Sequence, residues 1–183
     1  MHRYTTYDDI ERFKSEKSLE ERQKMLQATA SKDYKNTFLS HSSKDNSLVP
    51  GAIAVLEGHG ASVYVDLGDD RLPQPPSVET AQILRGTVKE MRRFVLLVSP
   101  KSKGSIWMPW ELGLADGSKT PASVAIFPVV EKAAESKWSE EEYLGLYRRI
   151  LWGDLVGHSG NLWLVYDHFT NTADPLSNWL RGG

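Results

Sequence analysis

The segment Arg93-Phe94-Val95-Leu96-Leu97-Val98-Ser99 decides the fold class of this chain. Its five central residues are all apolar, and two of them are β-branched. A short run of this kind predicts a strand that is buried on both faces. Strands with two buried faces belong to parallel sheets, because the crossover connections place helices on either side. We therefore interpret the rest of the chain around a central parallel strand.

The regions on either side of this strand alternate between strand and helix patterns. The other predicted strands cover residues 37–41, 61–66, 124–130 and 161–166. The predicted helices cover residues 46–58, 77–91, a part of 105–116, a segment that begins near 139, and 174–180. Five strands separated by helices predict an α/β fold with a five-stranded, parallel, doubly wound sheet. We expect the flavodoxin-like strand order 2-1-3-4-5, with helices on both faces.

The first 33 residues have a different sequence pattern from the remainder, with short charged stretches that favour helices. Thr6–Asp9 and Ser18–Glu21 both match a capping box, in which a hydroxyl residue is followed three positions later by a carboxylate. Each precedes a charged, helix-favouring stretch. The chain is accordingly divided into a solvated N-terminal helical extension, residues 1–33, and a main domain, residues 34–183.

Composition excludes several classes of protein. The chain has 183 residues, of which 40% are hydrophobic and 25% charged, as expected for one globular domain. Its net charge of -2 lacks the positive excess that nucleic-acid binders use, so no nucleic-acid partner is expected. The absence of cysteine excludes disulfides, thiolate metal sites and thiol nucleophiles. No run is long enough for a membrane span and no secretory signal is evident, which predicts a cytoplasmic protein without a membrane partner.

Common catalytic motifs are also missing. The sequence contains no G-x-x-x-x-G-K-[ST] phosphate loop and no G-x-S-x-G nucleophile elbow. Its only G-x-G, Gly58-His59-Gly60, follows a predicted helix, whereas a dinucleotide-binding loop follows a strand. The five histidines show no metal-ligand spacing, and no metal site is predicted.

Two polar segments remain as candidates for a functional site. Residues 38–45 leave the first predicted strand of the main domain, and residues 102–112 leave the third. In a sheet of order 2-1-3-4-5 these strands are neighbours whose crossovers go to opposite faces. Ligands bind at this topological switch point, beyond the carboxyl ends of the strands. The second segment places Glu111 near the start of the helix that lines the predicted cleft.

The same segments resemble the TIR (Toll/interleukin-1 receptor) domain family, and in particular its bacterial NAD+-consuming members. Residues 37–45 resemble the family's box 1 strand and loop, and residues 64–66 with the proline-containing loop after them resemble its second strand and BB loop. Trp107 to Glu111 forms a W-x-x-x-E motif preceded by Ser105. The resemblance covers about residues 34–183. Met108-Pro109 departs from the family pattern, in which a cysteine often follows the tryptophan.

The resemblance implies cleavage of the nicotinamide–ribose bond of NAD+, so that the chain is an NAD+ glycohydrolase or ADP-ribosyl cyclase. Glu111 is the implied catalytic carboxylate, and NAD+ is the substrate, with no separate cofactor. The residues expected to bind the substrate are Phe38, Ser40, His41, Ser42, Ser43, Lys44, Asp66, Ser105, Trp107 and Trp110.

The chemistry of this bond is compatible with a single carboxylate. Most glycoside hydrolysis uses two carboxylates, one of which protonates the leaving group. Nicotinamide leaves from a cationic pyridinium as a neutral molecule and needs no general acid. We expect the helix macrodipole to keep Glu111 ionised, and the indole faces of Trp107 and Trp110 to attract the cationic ring. Attack by water gives ADP-ribose, whereas attack by a base nitrogen gives a cyclic product.

The resemblance also suggests partners and rivals. A role in bacterial antiviral defence, self-association through the 67–77 loop and a separate effector that senses the product are all expected by analogy. One alternative is a non-catalytic TIR adaptor that acts by homotypic assembly. A second is an enzyme similar to a nucleoside deoxyribosyltransferase, which also uses a carboxylate at a glycosidic carbon.

Overall fold

The computed structural model describes residues 3–15, 35–67, 77–132 and 142–182. Within these ranges the helices are α1 (Tyr7–Ser15), α2 (Val49–Gly58), α3 (Val78–Glu90), α4 (Trp107–Ser118) and α5 (Leu176–Arg181). The strands are β1 (Thr5–Thr6), β2 (Thr37–Ser40), β3 (Val63–Tyr64), β4 (Arg93–Val98), β5 (Val124–Val130), β6 (Arg148–Asp154), β7 (Asn161–Asp167) and β8 (Thr172–Pro175). None of the helices in these ranges combines the length and apolar character needed to cross a bilayer.

The strands form one mostly parallel sheet with the order β3-β2-β4-β5-β6-β7-β8, and β1 pairs with β5 beside this path. The pairs from β3 to β6 are parallel, whereas β6–β7 and β7–β8 are antiparallel. The predicted α/β class is confirmed. The predicted count of five strands is wrong, because the described residues contribute eight.

The largest difference lies after β5. A helix was predicted to begin near residue 139; residues 133–141 lie outside the described ranges, and Glu142–Leu146 is a short 3-10 helix. The next segment, β6, pairs in parallel with β5 and occupies the place expected for residues 161–166. Those residues do form a strand, β7, but it is antiparallel to β6. The connection is short and contains Gly157 and Gly160, both at positive φ, a geometry suited to a tight hairpin.

Helices cover both faces of the sheet, as predicted. Alternate residues of each strand point to opposite faces, so each face has its own buried cluster. One cluster packs the sheet against α1, α2 and α5, and includes Leu39, Val95, Leu97, Ile53 and Trp179. The other packs it against α3 and α4, and includes Phe38, Phe94, Leu96, Leu84 and Leu112. The sheet is therefore the middle of three layers, and its polar edges are the places left for a ligand.

The beginning of the chain is part of this packing rather than a solvated extension. β1 pairs with Val129 and Val130 at the end of β5, and Ile10 of α1 is fully buried. A Cβ atom at Gly51 of α2 would lie 2.6 Å from the carbonyl oxygen of Ile10, so only glycine allows this approach. Within residues 3–12, the expectation of a solvated segment is wrong for Thr5 and Ile10, which are buried, whereas Asp8, Glu11 and Arg12 are exposed.

The two N-terminal capping boxes have different outcomes. The amide of Thr6 donates to Asp9 Oδ2 at 2.9 Å, and the amide of Asp9 donates to Thr6 Oγ1 at 3.2 Å, which confirms the first box. The second box at residues 18–21, and the boundary predicted after residue 33, lie outside the described residues.

Candidate functional site

β2 and β4 are adjacent parallel strands that end at the same edge of the sheet. Asp45, in the loop after β2, is fully buried and accepts hydrogen bonds from Ser99 Oγ and Ser102 Oγ, both at 2.5 Å. Lys44 Nζ donates to the carbonyl oxygen of Lys103 at 3.0 Å. The two polar segments therefore meet at the predicted switch point.

Asp45 provides the main hydrogen-bond link between these two loops. Replacing it with alanine leaves two buried serine hydroxyls without their acceptor, and we expect the free energy of unfolding to fall by about 2–4 kcal/mol. Chemical denaturation measures this difference. The control is Lys44→Ala, which removes an exposed contact and is expected to change stability by less than about 0.5 kcal/mol. Equal effects of the two substitutions on stability would contradict the role of Asp45 in linking the two loops.

Glu111 lies in the N-terminal half of α4, at the mouth between β2 and β4. Ser40, the last residue of β2, donates a hydrogen bond from Oγ to Glu111 Oε2. The Glu111 side chain is only 3% exposed. α4 begins at Trp107, within the predicted range of residues 105–116. Pro109 is its third residue and disrupts nothing, since the first-turn amides of a helix have no intrahelical partner.

The pKa of Glu111 is raised from 4.5 to about 8, mainly by burial and also by the negative charge of Asp66, although the hydrogen bond from Ser40 opposes both effects. The expectation that Glu111 stays ionised is therefore wrong for the free protein at neutral pH. Two causes explain this. Glu111 is the fifth residue of α4, beyond the first turn in which the macrodipole is effective. Desolvation of a buried carboxylate is the larger influence.

His41 and Asp66 extend the cluster around Glu111. His41 Nδ1 lies 3.8 Å from Asp66 Oδ1, and His41 Nε2 lies 3.0 Å from Asn46 Oδ1. Asp66, at the end of the segment after β3, remains about one-third exposed. The sheet edge thus collects two carboxyl groups and an imidazole around the end of β2.

Two indole rings lie at the start of α4. Trp107 is 38% exposed, and its ring packs edge-on against Trp110 with the centroids 5.4 Å apart. Trp110 is half-buried against the core, and the guanidinium carbon of Arg85 lies 6.0 Å from its ring centroid. An exposed aromatic face beside a buried carboxyl group suits a ligand that carries a flat, cationic ring.

Comparison with known proteins adds to this geometry. A family model of the TIR domain matches residues 37–162, which is more than half of the chain. The chain belongs to the TIR domain family. The TIR chain is also 35% identical over 147 residues to a protein of Bacillus cereus (strain MSX-D12) that is named probable 3' cyclic ADP-D-ribose synthase ThsB'. The match covers 79% of the TIR chain and 74% of that protein.

Among the predicted substrate-binding residues, Phe38 is fully buried in the core of the TIR fold. Its ring has no exposed surface, because it stacks on Phe94 at 5.6 Å and packs against Tyr64 at 5.2 Å. Phe38 points to the same face of the sheet as Ser40, but it lies two residues earlier in β2, inside the cluster that packs under α3 and α4.

The remaining predicted residues lie around the mouth. Ser42 is buried, and its hydroxyl caps a 3-10 turn by accepting from the amide of Lys44 at 3.3 Å. Ser43 and Lys44 are exposed, and Ser105 Oγ accepts from the amide of Met108 at 3.5 Å. The predicted 67–77 loop falls mostly outside the described residues. Only its ends are described, and Ser77 caps α3 in a capping box with Thr80, as its position predicted.

The buried roles of Asp45, Ser99 and Ser102 were not predicted from the sequence. Ser99 and Ser102 form a further capping box, in which the amide of Ser99 donates to Ser102 Oγ at 2.9 Å. The S-x-x-S spacing directly after a buried strand was the available signal. Among the described residues, no group of three or more His, Asp or Glu side chains has the geometry of a metal site.

Proposed function

We propose that this TIR chain cleaves the nicotinamide–ribose bond of NAD+ with Glu111 as the catalytic carboxylate, and closes the remaining ADP-ribose into a cyclic nucleotide. The observation that carries the proposal is the Glu111 carboxyl group, buried at the switch-point edge and held by Ser40. The synthase name of the 35% identical relative supports the same reaction class.

The reaction needs little acid–base assistance. As the bond from the ribose carbon to the ring nitrogen breaks, its electron pair moves to that nitrogen, and nicotinamide leaves as a neutral molecule. Positive charge develops on the ribose, where an ionised Glu111 stabilises it. A hydroxyl or base nitrogen of the ADP-ribose then forms the new bond. Where a hydroxyl attacks, it loses its proton to Glu111 or to water.

Burial of Glu111 favours cyclisation over hydrolysis. A carboxyl group with so little exposed surface lies where few water molecules compete for the ribose carbon. An internal nucleophile that is already bound has a large advantage in effective concentration. The same burial means that neighbouring side chains must move before ribose reaches Glu111.

The surrounding residues supply plausible contacts for the rest of the substrate. Trp107 and Trp110 stack against the rings, and Lys44 with the backbone of the loop after β2 binds the pyrophosphate. The Asp66 carboxylate accepts hydrogen bonds from the substrate, and the Ser105 hydroxyl accepts or donates them. NAD+ is the substrate, and the proposal includes no resident cofactor or metal.

The proposal is tested by incubating the protein with NAD+ in water that carries a heavy oxygen isotope, and by analysing the products with mass spectrometry. We expect free nicotinamide and a nucleotide that is lighter than ADP-ribose by one water and carries no heavy oxygen. ADP-ribose that carries heavy oxygen would indicate hydrolysis and contradict the cyclisation step. Intact NAD+ at every protein concentration would contradict the enzyme and favour the adaptor. Transfer of deoxyribose between bases would indicate the transferase alternative.

The pH dependence of turnover provides a separate prediction. Since the ionised carboxyl group is the active form, kcat/KM is expected to rise with pH, with a midpoint near pH 8. Asp66→Asn removes the like charge that raises the pKa of Glu111, so the midpoint of this profile moves to lower pH. Asp116→Asn, on the exposed end of α4, is the matched control and leaves the midpoint in place. An unmoved midpoint in Asp66→Asn would contradict the assignment of the titrating group to Glu111.

We further propose that the chain acts in the cytoplasm, self-associates through the 67–77 loop and delivers its product to a separate effector in antiviral defence. Turnover per chain should then rise with protein concentration, in parallel with the molar mass measured by light scattering. Turnover that is independent of concentration while the protein stays monomeric would contradict the assembly step.

A further inference from the structure

A second polar cleft lies at the opposite edge of the sheet from Glu111. Its volume is about 600 Å³, and its lining includes Arg93, Arg148, Arg181, Ser123 and Asp174. Arg93 is the first residue of β4. The other end of β4 is followed by Ser99, which donates a hydrogen bond to Asp45. At about 3.3 Å per residue, the length of β4 separates this cleft from the Glu111 mouth by about 16–20 Å.

Arg93 is the most unusual group in the cleft, because its guanidinium is buried beside neutral partners. The side chain is part of a residue that is only 7% exposed. Its Nε donates to the carbonyl oxygen of Trp179 at 2.7 Å, and its Nη1 donates to Ser123 Oγ at 3.1 Å. In the described part of the chain, no carboxylate is within ion-pair distance of it. Burial and the positive charges of Arg92 and Arg148 lower the pKa of Arg93, and its guanidinium carbon lies 4.8 Å from the ring centroid of Trp179, a cation–π contact that offsets part of its charge.

The neighbouring cations are held in a similar way. Arg92 Nη1 donates to the carbonyl oxygen of Arg181 at 2.6 Å, Arg181 Nε donates to the carbonyl oxygen of Ser177 at 3.1 Å, and Lys119 Nζ donates to that of Met91. Carbonyl oxygens hold these groups in place without cancelling their charge.

Two carboxylates lie near this cluster. Arg148 Nε pairs with Asp167 Oδ2 at 3.1 Å, and the exposed Asp174 lines the cleft itself. Among the described residues that line the cleft, three arginines face one aspartate, which leaves the cleft with a net positive charge.

We propose that this cleft binds a phosphate-bearing small molecule of nucleotide size, with Arg93 and Arg148 as its principal charged contacts. The guanidinium group matches the geometry of phosphate oxygens and is charged at every physiological pH. A volume of about 600 Å³ is within the usual range for small-molecule sites. The proposal is independent of the NAD+ reaction, because it concerns the other edge of the sheet.

Isothermal titration calorimetry with inorganic phosphate, pyrophosphate and AMP tests the site at low and moderate salt. We expect AMP and pyrophosphate to bind more tightly than inorganic phosphate, and all three to weaken with salt. Arg148→Gln should weaken AMP binding at least about tenfold. Asp174→Asn removes a repelling charge from an exposed position and should tighten binding about two- to fivefold. Lys132→Gln, an exposed cation after β5, is the charge-matched control and should leave the affinity unchanged.

The opposite effects of the first two variants distinguish a site from misfolding, since a destabilised protein does not bind more tightly. AMP binding that ignores both variants but is lost in Trp107→Ala would assign the nucleotide to the Glu111 mouth and overturn the proposal. The proposal would also be overturned if none of the three probes binds. Neither result depends on whether the chain turns over NAD+.

Discussion

Replacing Glu111 with glutamine is expected to lower the rate of NAD+ cleavage at least about a hundredfold. The glutamine side chain has almost the same shape, and its amide oxygen can still accept the hydrogen bond from Ser40. What it lacks is the negative charge that stabilises the developing positive charge on the ribose. The rate of nicotinamide release, measured at about pH 8 where much of the wild-type carboxyl group is ionised, gives the comparison.

The matched control for this substitution is Glu90→Gln, which makes the same chemical change at the exposed end of α3, away from the site. It is expected to retain wild-type turnover. Glu111→Ala should be at least as inactive as Glu111→Gln, because it removes the acceptor as well as the charge. If Glu111→Gln cleaves NAD+ at the wild-type rate, Glu111 is excluded as the catalytic carboxylate, although the chain is still an enzyme.

The same substitution is expected to stabilise the protein at alkaline pH. The pKa of Glu111 is raised from 4.5 to about 8 in the folded protein. Between these two values the folded state holds a proton that the unfolded state has released, so raising the pH lowers the free energy of unfolding. Glutamine does not titrate and escapes this loss. The stability advantage of Glu111→Gln over the wild type should therefore grow by about 3–4 kcal/mol between about pH 5 and about pH 8.

Thermal or chemical unfolding at several pH values measures this difference. For a chain of this size, about 3–4 kcal/mol corresponds to roughly 6–16 °C in Tm. Glu90→Gln again serves as the control, with a pH dependence that parallels the wild type. A constant difference between Glu111→Gln and the wild type across the pH range would show that the carboxyl group is not desolvated in the fold.

A gain in stability combined with a loss of activity would have a clear physical meaning. A buried carboxylate without a cationic partner opposes folding, and a protein retains such a group where it serves another purpose. Ser40 offsets only part of the desolvation, and Asp66 adds to it. The two predictions test the buried charge of Glu111 by independent measurements: the pH dependence of the free energy of unfolding and the rate of NAD+ cleavage.

The elements that position Glu111 were predictable because their signals are local. The apolar run of β4 indicates burial on both faces, and Ser77 with its following helix pattern correctly marks the start of α3. Once β2 and β4 are neighbours, topology alone brings the segments after them together. The meeting of Ser40 with Glu111 follows from that arrangement.

The features that sequence analysis missed depend on contacts distant in the chain. Arg148–Asp154 forms a strand because β5 offers it an edge, and the capping-box pattern near residue 139 suggested a helix instead. The burial of Asp45 needs Ser99 and Ser102, which lie more than 50 residues away. The pKa of Glu111 depends on packing and on Asp66, which no spacing within the helix reveals.

The most direct test of the catalytic role of Glu111 is an NMR titration of its carboxyl carbon, identified as the resonance that is absent from Glu111→Gln. We expect this resonance to titrate near pH 8 in the free protein and at lower pH once a non-cleavable NAD+ analogue places its cationic ring beside the carboxyl group. A titration near the ordinary glutamate pKa of 4.5, or one that the analogue leaves unchanged, would contradict a buried catalytic carboxyl group at the NAD+ site.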